Sequence, residues 1–267
     1  MELTEVTTLD APELVLYRTL RDGAVSVKGE FIADSPKVVC MLLKQGVQAL
    51  SLLATPVFYE QERALLASLQ GVTFFVASRD VMEGIVGHKI HHHVMMHGVR
   101  PRPASLEALG ERILMTLVLS KSENLGVMAR SAAALGVDSL VCSSQGAHPY
   151  GRRVLRVSMG HVSQLRFHVY KDAVATILAL KALGYHVFGA EVTPKAVSLA
   201  RVRVPKRWVL IVGNEGEGLS PEVLAACDMC VQIEMEEGIK SFNVGVAASV
   251  LMYQFVHGAK GREKVQG

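Results

Sequence analysis

From about residue 105 onward, short apolar runs alternate with helix-patterned segments, and this alternation limits the folds open to the chain more than any other feature. The strand-like runs fall at 113–119, 139–143, 186–190, 208–212 and 230–235, and the helical patterns at about 124–135, 150–157, 172–183, 220–226 and 242–257. Strands alternating with helices predict a mainly parallel sheet covered on both faces.

The first hundred residues read as a smaller α/β unit. Helical stretches around 35–46 and 59–70 alternate with apolar runs at 48–54 and 72–77. Ser35-Pro36 suits an N-cap followed by proline at the first helical position. Two prolines in Arg100-Pro101-Arg102-Pro103 stop regular structure and mark a boundary. The expected domains are therefore 1–104 and 105–267, with a polar tail from Gly258 that frays.

Composition sets the class. At 267 residues, half hydrophobic and a fifth charged, the chain has the profile of a soluble globular protein with ample core. Apolar runs stop short of membrane-spanning length, and the acidic start (Glu2, Glu5, Asp10) is unlike a signal or transit peptide. Four scattered cysteines, Cys40, Cys142, Cys227 and Cys230, read as reduced thiols in a cytoplasmic protein. The formal charge of +3 is small, but its distribution is uneven. Residues 1–104 carry ten basic and eleven acidic side chains, whereas residues 105–267 carry eighteen and fourteen. Arg152, Arg153, Arg156 and Arg166, then Arg201, Arg203, Lys206 and Arg207, form clusters of the kind that phosphate contacts need; solvated helix faces and loops are the plainer reading of the same charges.

Three glycine- and asparagine-bearing blocks sit where strands give way to helices. They are Asn124-Leu125-Gly126-Val127-Met128-Ala129-Arg130, Gly213-Asn214-Glu215-Gly216-Glu217-Gly218-Leu219 and Ser241-Phe242-Asn243-Val244-Gly245-Val246-Ala247-Ala248. Such junctions leave backbone N–H groups free and let a ligand approach the main chain. Three in one α/β segment predict a single composite pocket. In the first block, Leu125, Met128, Ala132 and Leu135 share a helix face, so Arg130 is expected to point elsewhere, toward the open end of the sheet, and Ser122 or Asn124 can cap the helix. A capped helix with a surface arginine explains that block equally well on its own. The second block lacks the Gly-Lys-Ser/Thr of a P-loop and the glycine spacing of a dinucleotide fingerprint. Its two glutamates should repel a polyphosphate, which disfavours a nucleotide triphosphatase and suits a neutral or cationic ligand. In the third block, Gly245, Ala247, Ala248 and Ser249 permit close packing of the last helix, with Ser241 and Asn243 supplying a cap and side-chain donors.

Taken together, the blocks resemble the SpoU (TrmH-type) branch of the SPOUT methyltransferases. That pattern reads Asn-x-Gly-x-x-x-Arg, Gly-x-Glu-x-x-Gly, then Ile-Pro-Met followed by Ser-Leu-Asn-Val-Ser-Val-Ala, and the match runs from about residue 110 to 257. The resemblance implies an α/β fold with a parallel sheet and a deep trefoil knot. It also implies a small α/β domain in front, similar to RNA-binding ribosomal proteins. Further implications are S-adenosylmethionine as cofactor, a homodimer, no metal, and methyl transfer to a ribose 2′-hydroxyl of RNA. Ribosomal RNA is favoured over tRNA because of the extra domain. Carried over by position, cofactor contacts fall at Gly213, Ile233, Phe242, Met235 and Asn243, and catalytic candidates are Arg130, Glu215, Ser241 and Asn243, supported by Asn124. Three departures stand out: Glu234 replaces the proline, Phe242 the leucine and Gly245 the second serine.

Arg130 can serve as phosphate clamp or as base; a guanidinium titrating above about 12 favours the clamp. Glu215 can orient Arg130 or accept the proton indirectly. Competing readings are a tRNA 2′-O-methyltransferase, a non-catalytic RNA-binding or ribosome-assembly factor that kept the fold, and an enzyme methylating a base nitrogen. Intact Arg130, Glu215 and Asn243 speak against the non-catalytic one. Two signals are set aside. The histidines His88, His91, His92, His93 and His97 lack a neighbouring Cys or carboxylate pattern to complete a metal site. Cys227 and Cys230 have CxxC spacing without a second pair and read as apolar packing.

Overall fold

The computed structural model describes residues 2–8, 10–18, 29–86, 94–239 and 241–258. His88, His91, His92 and His93 lie outside the described residues. Two compact units make up the chain: Met1–Arg102 with Tyr150–Ser163, and Pro103–Pro149 with Gln164–Gly267.

The first unit contains β1 (Leu3–Val6), α1 (Val15–Arg18), β2 (Glu30–Asp34), α2 (Pro36–Lys44) and β3 (Ala49–Ala54). It continues with α3 (Pro56–Gln61), α4 (Arg63–Leu66), β4 (Thr73–Ala77), α5 (Arg79–Val86) and β5 (Val94–Val99). The strands form one sheet in the order β1-β4-β3-β5-β2. Strand β4 runs parallel to β1 and β3, and β5 runs antiparallel to β3 and β2. Leu14, Tyr17, Ile32, Leu53, Phe75, Met82 and Met95 fill one face.

Two local expectations need correcting. Ser35 does not cap α2 with its hydroxyl; it sits at φ +87° with no side-chain cap bond. Its N–H is held by the Val94 carbonyl and its own carbonyl receives the Val39 N–H, so the sheet edge and not the side chain sets the helix start. The helix expected over 59–70 is two short ones beginning earlier, at Pro56, which again fits the first helical position.

The first unit also takes in Tyr150–Ser163, a segment that the linear division at residue 104 leaves in the second half. Its helix, Arg152–Val157, presents two arginines to the buried Asp34. Arg152 donates to one carboxylate oxygen through Nε at 2.9 Å and through Nη2, and Arg156 Nε lies 3.4 Å from the other. The rings of Tyr150 and Phe31 meet at 5.6 Å. Two members of the basic cluster are therefore structural ion-pair partners.

In the second unit the strands are β6 (Arg112–Thr116), β7 (Ser139–Ser143), β8 (Arg166–Tyr170), β9 (His186–Ala190), β10 (Val197–Ser198), β11 (Trp208–Val212) and β12 (Met229–Gln232). The helices of this half of the chain are α6 (Ser122–Leu135), the Arg152–Val157 helix as α7, α8 (Ala173–Ala182), α9 (Pro221–Ala226) and α10 (Val244–His257). The seven strands lie in the order β10-β12-β9-β11-β6-β7-β8, and every pairing is parallel.

Parallel strands covered on both faces are buried throughout, as β7 and β11 are at every residue. Alternate residues serve opposite faces. Val209 and Ile211 join Ile177 and Leu180 of α8 and Val223 and Ala226 of α9 in one cluster. On the other face the Trp208 and Phe188 rings pack against Phe255 of α10 at 5.2 and 4.9 Å. Helix α10 also lies along α6, where Ser249 Oγ meets Ser131 Oγ at 2.8 Å. The small residues Gly245 and Ala248 are buried, while Val246, Val250 and Tyr253 remain exposed. Sequence reading missed β8 and β10, an edge strand with basic and histidine residues and a two-residue edge strand.

Candidate functional site

A parallel α/β sheet opens its strands' carboxyl ends to ligands where neighbouring crossovers diverge. Here that edge holds a cavity of about 740 Å³, within the range of small-molecule sites. Its walls come from the ends of β9, β11 and β12, from the loop 213–218, and from the starts of α6 and α10. The loop is short because Asn214 and Gly218 exchange two backbone hydrogen bonds, at 3.2 and 3.0 Å. Asn214 Nδ2 also donates to the Val118 carbonyl at 2.8 Å and its Oδ1 receives the Gly216 N–H at 2.8 Å. Gly213 is required there: a Cβ would stand 2.4 Å from the Gly218 carbonyl carbon.

One chain of hydrogen bonds ties the three glycine- and asparagine-bearing blocks together, and its direction is fixed from one end. Asn243 caps α10, its Oδ1 accepting the N–H groups of Gly245 at 2.9 Å and Val246 at 3.3 Å. Its amide nitrogen must then donate, and it does so to Asn124 Oδ1 at 3.2 Å. Asn124 is thereby oriented with its own Nδ2 outward, donating to Glu215 Oε1 at 2.6 Å. Glu215 takes two further donors, the N–H of Ser120 at 2.8 Å and that of Lys121 at 3.4 Å. Three donors converge on the two oxygens of residue 215, which favours the ionised carboxylate, an acceptor at both. Burial pushes the Glu215 pKa up, but the Ser120 N–H and the Asn124 amide, with further hydrogen bonds, outweigh it and bring it from 4.5 down to about 2.

This corrects the capping of α6. Lys121 occupies the cap position with no side-chain cap bond, and Ser122 lies inside the helix. Asn124 points across to the glycine loop. Glu215 instead takes the N–H groups of Ser120 and Lys121, the two residues that lead into the helix, and places a carboxylate at the positive end of the helix dipole.

Gly213, Ile233, Phe242, Met235 and Asn243 all line the cavity, as do Glu215, Ser241 and Asn124. Arg130 does not. It is exposed on α6, six residues beyond Asn124, which at 100° per residue turns it about 120° away and places it about 9 Å along the axis. Sequence reading overlooked Glu191, a half-buried cavity residue whose Oε1 and Oε2 accept the N–H groups of Val192 at 3.0 Å and Leu219 at 2.9 Å. Its position just past the 186–190 run was the available signal, since ligands gather at strand ends. The cavity carries Glu191, Glu215 and Glu217 against Lys121 as its one basic wall residue among the described residues. Such a wall favours a neutral or cationic ligand over a polyphosphate.

His97 is buried and bonded to Glu30 at 3.0 Å. Among the described residues no group of three His, Cys, Asp or Glu is placed to hold a metal ion. Cys227 gives its thiol to the Val223 carbonyl, and burial pushes its pKa up to about 12. No described helix is long and apolar enough to cross a membrane.

A family model described as the SpoU rRNA Methylase family matches residues 111–253, which hold all three blocks. Over 265 residues the chain is 30% identical to an uncharacterized tRNA/rRNA methyltransferase of Mycobacterium tuberculosis, covering 95% of this chain and 92% of the relative. It is 27% identical over 199 residues to the 23S rRNA (guanosine-2′-O-)-methyltransferase RlmB of Acinetobacter baylyi, covering 71% of this chain and 80% of that one. It shares the fold of an AdoMet-bound rRNA methyltransferase from Sinorhizobium meliloti, with a TM-score of 0.84 at 20% identity over 96% of this chain and 98% of that chain. With the ordered blocks meeting at one cavity and the family match spanning more than half its length, the chain belongs to the SpoU rRNA methylase family.

Proposed function

We propose that the protein methylates a ribose 2′-hydroxyl of RNA from S-adenosylmethionine, with ribosomal RNA as the favoured substrate. The observation that carries this reading is the one-way chain Asn243–Asn124–Glu215, which closes a cofactor-sized, acidic cavity at the sheet's carboxyl edge. The cavity fits the cofactor: backbone of the 213–218 loop forms one wall, and the carboxylates suit a ligand bearing ammonium and sulfonium charge. Gly213, Ile233, Met235, Phe242 and Asn243 would hold it. When bound, S-adenosylmethionine would supply a methyl group activated on a sulfonium: the ribose oxygen would take it as the carbon–sulfur bond breaks, with S-adenosylhomocysteine as leaving group and the hydroxyl proton passing to water.

The chain's own residues position and polarise. Glu215 is saturated with donors and held at about 2, so it is a fixed anchor and not the group that removes the hydroxyl proton. Ser241 and Asn243 stand at the mouth of α10 beside the cavity, where they can orient the ribose. Arg130, exposed outside the wall, is read as the phosphate clamp, a task that the planar guanidinium suits.

Four further readings accompany this one. The run from β9 out to β10 and back to β11 leaves a loop, and β12 later inserts between β9 and β10; that order supports a deep trefoil knot. The exposed Val246, Val250 and Tyr253 on α10, beside the cavity residues that begin the same helix, support a homodimer through this face. The unit containing the first hundred residues is assigned to RNA selection. Four free cysteines suit a cytoplasmic setting. The deciding experiment maps 2′-O-methyl and base-methyl marks in ribosomal and transfer RNA from cells with and without the protein. A 2′-O mark lost from ribosomal RNA is expected; loss of a base-nitrogen mark, or of none, overturns the proposal.

A further inference from the structure

The cavity wall formed by Ile233 and Met235 leaves the sheet directly after β12 and has no regular structure of its own. In the pattern that the chain resembles, proline stands between those two residues and stiffens the backbone; here the position is Glu234. Strand β10 lies alongside, with Val197 paired to Val231 and Ser198 to Gln232. Two residues of pairing are a weak attachment for an edge strand. From the last paired residue of β10, the Ser198 hydroxyl reaches past Gln232 and donates to Glu234 Oε1. Glu234 is exposed and is not a cavity residue, whereas its neighbours on both sides are. An extended chain alternates its side chains, so fixing Glu234 outward on Ser198 turns Ile233 and Met235 inward.

We propose that Ser198 and Glu234 form a latch that positions Ile233 and Met235 for the cofactor, in place of the rigidity that proline would give. Both are positioning residues, acting through the two cavity residues between which Glu234 stands. The inference rests on the cofactor reading of the cavity, but the latch itself exists without ligand and can be observed separately. A side-chain hydrogen bond, unlike a proline, can be removed from either end, and that makes the idea testable by a cycle.

The test measures S-adenosylmethionine affinity by calorimetry, together with amide hydrogen exchange over 233–239 in the ligand-free protein. Ser198→Ala and Glu234→Ala should each weaken binding by about threefold to tenfold, the range expected for one hydrogen bond. The double variant should be no weaker than either single one. Glu234→Gln keeps an acceptor and should bind within about twofold of the parent. In a Glu234→Pro background, Ser198→Ala should have no further effect. KM for S-adenosylmethionine should rise in the alanine variants while kcat and Tm stay unchanged, a split that general destabilisation does not produce. Exchange over 233–239 should quicken in the alanine variants without ligand. Additive losses in the double variant, an unchanged affinity in Ser198→Ala, or unaltered exchange would overturn the latch. If the parent protein binds no S-adenosylmethionine, the cofactor reading fails, and the exchange measurement still decides the latch.

Discussion

Replacing Glu215 by glutamine tests the one-way chain at the point where it ends. Glutamine keeps one acceptor oxygen and turns the other into an NH₂ donor. If that donor faces Ser120, the N–H leading into α6 loses its acceptor; if it faces Asn124, two amide donors meet. Asn124 is not free to rotate in response, because Asn243 donates to its oxygen and Asn243 is itself fixed by capping α10. Taken at face value, lowering a carboxyl from 4.5 to about 2 corresponds to roughly 3 kcal/mol. The side chain is exposed to water, so screening reduces this to about 1 kcal/mol. An opposed donor adds about 1 kcal/mol. The expected loss is about 2 kcal/mol, which lowers Tm by roughly 4–8 °C for a chain of this size. If the loop must be reordered on binding, Kd for S-adenosylmethionine rises by up to about thirtyfold. The pH dependence gives an independent check. A depressed carboxyl contributes stability that is fully present above 4.5 and is lost as pH falls toward 2, so the gap between parent and variant should be constant from pH 8 to 5 and narrow below 4.5. A variant with the parent's Tm and affinity, or a gap indifferent to acid, refutes the reasoning.

Gly213→Ala should displace the Gly218 backbone and abolish cofactor binding in calorimetry, with a loss of about 1–3 kcal/mol in urea unfolding. Arg130→Ala should cut methyl transfer far more than cofactor affinity, and Arg130→Lys should recover only part, measured by single-turnover kinetics beside calorimetry. Arg152→Ala leaves Asp34 buried with only the longer Arg156 contact and should cost about 3 kcal/mol in urea unfolding, more than Asp34→Asn, whose arginine partners can turn toward water. A fragment beginning at Ala104 lacks Asp34 and Phe31, so its 150–163 segment loses its packing and static light scattering should show aggregation that shortening this segment relieves. Val246→Glu with Tyr253→Ser should convert a dimer to a monomer in multi-angle scattering; an unchanged mass would place the interface elsewhere.

The parallel sheet was legible because its period and its apolar runs are local properties. Strand 208–212 is readable from five consecutive apolar residues, whereas β10 is two residues long and owes its existence to pairing with β12. Ser220 caps α9 as a Ser-Pro start suggests, but the same signal misleads at Ser35, where backbone bonds to β5 had already settled the conformation. The site blocks were visible as motifs; their wiring was not. That Asn124 serves Glu215 and not its own helix depends on a residue 91 positions away, and no local pattern carries that information. The basic residues of 150–157 likewise look like a binding face until a partner 118 positions earlier is brought against Arg152.

The fastening of α6 by a distant loop also sets when the site can exist during synthesis. Ser120 is made 95 residues before the carboxylate that accepts its N–H, and Asn124 precedes Asn243 by 119. A growing chain therefore leaves the N–H groups of Ser120 and Lys121 in water until residue 215 is made, and the β9 edge without its β12 neighbour until residues 229–232 are made. Loop closures of that length carry an entropic cost that slows folding. The wall that Asn243 and Asn124 share therefore cannot form until residue 243 has been added and α10 has its first turn.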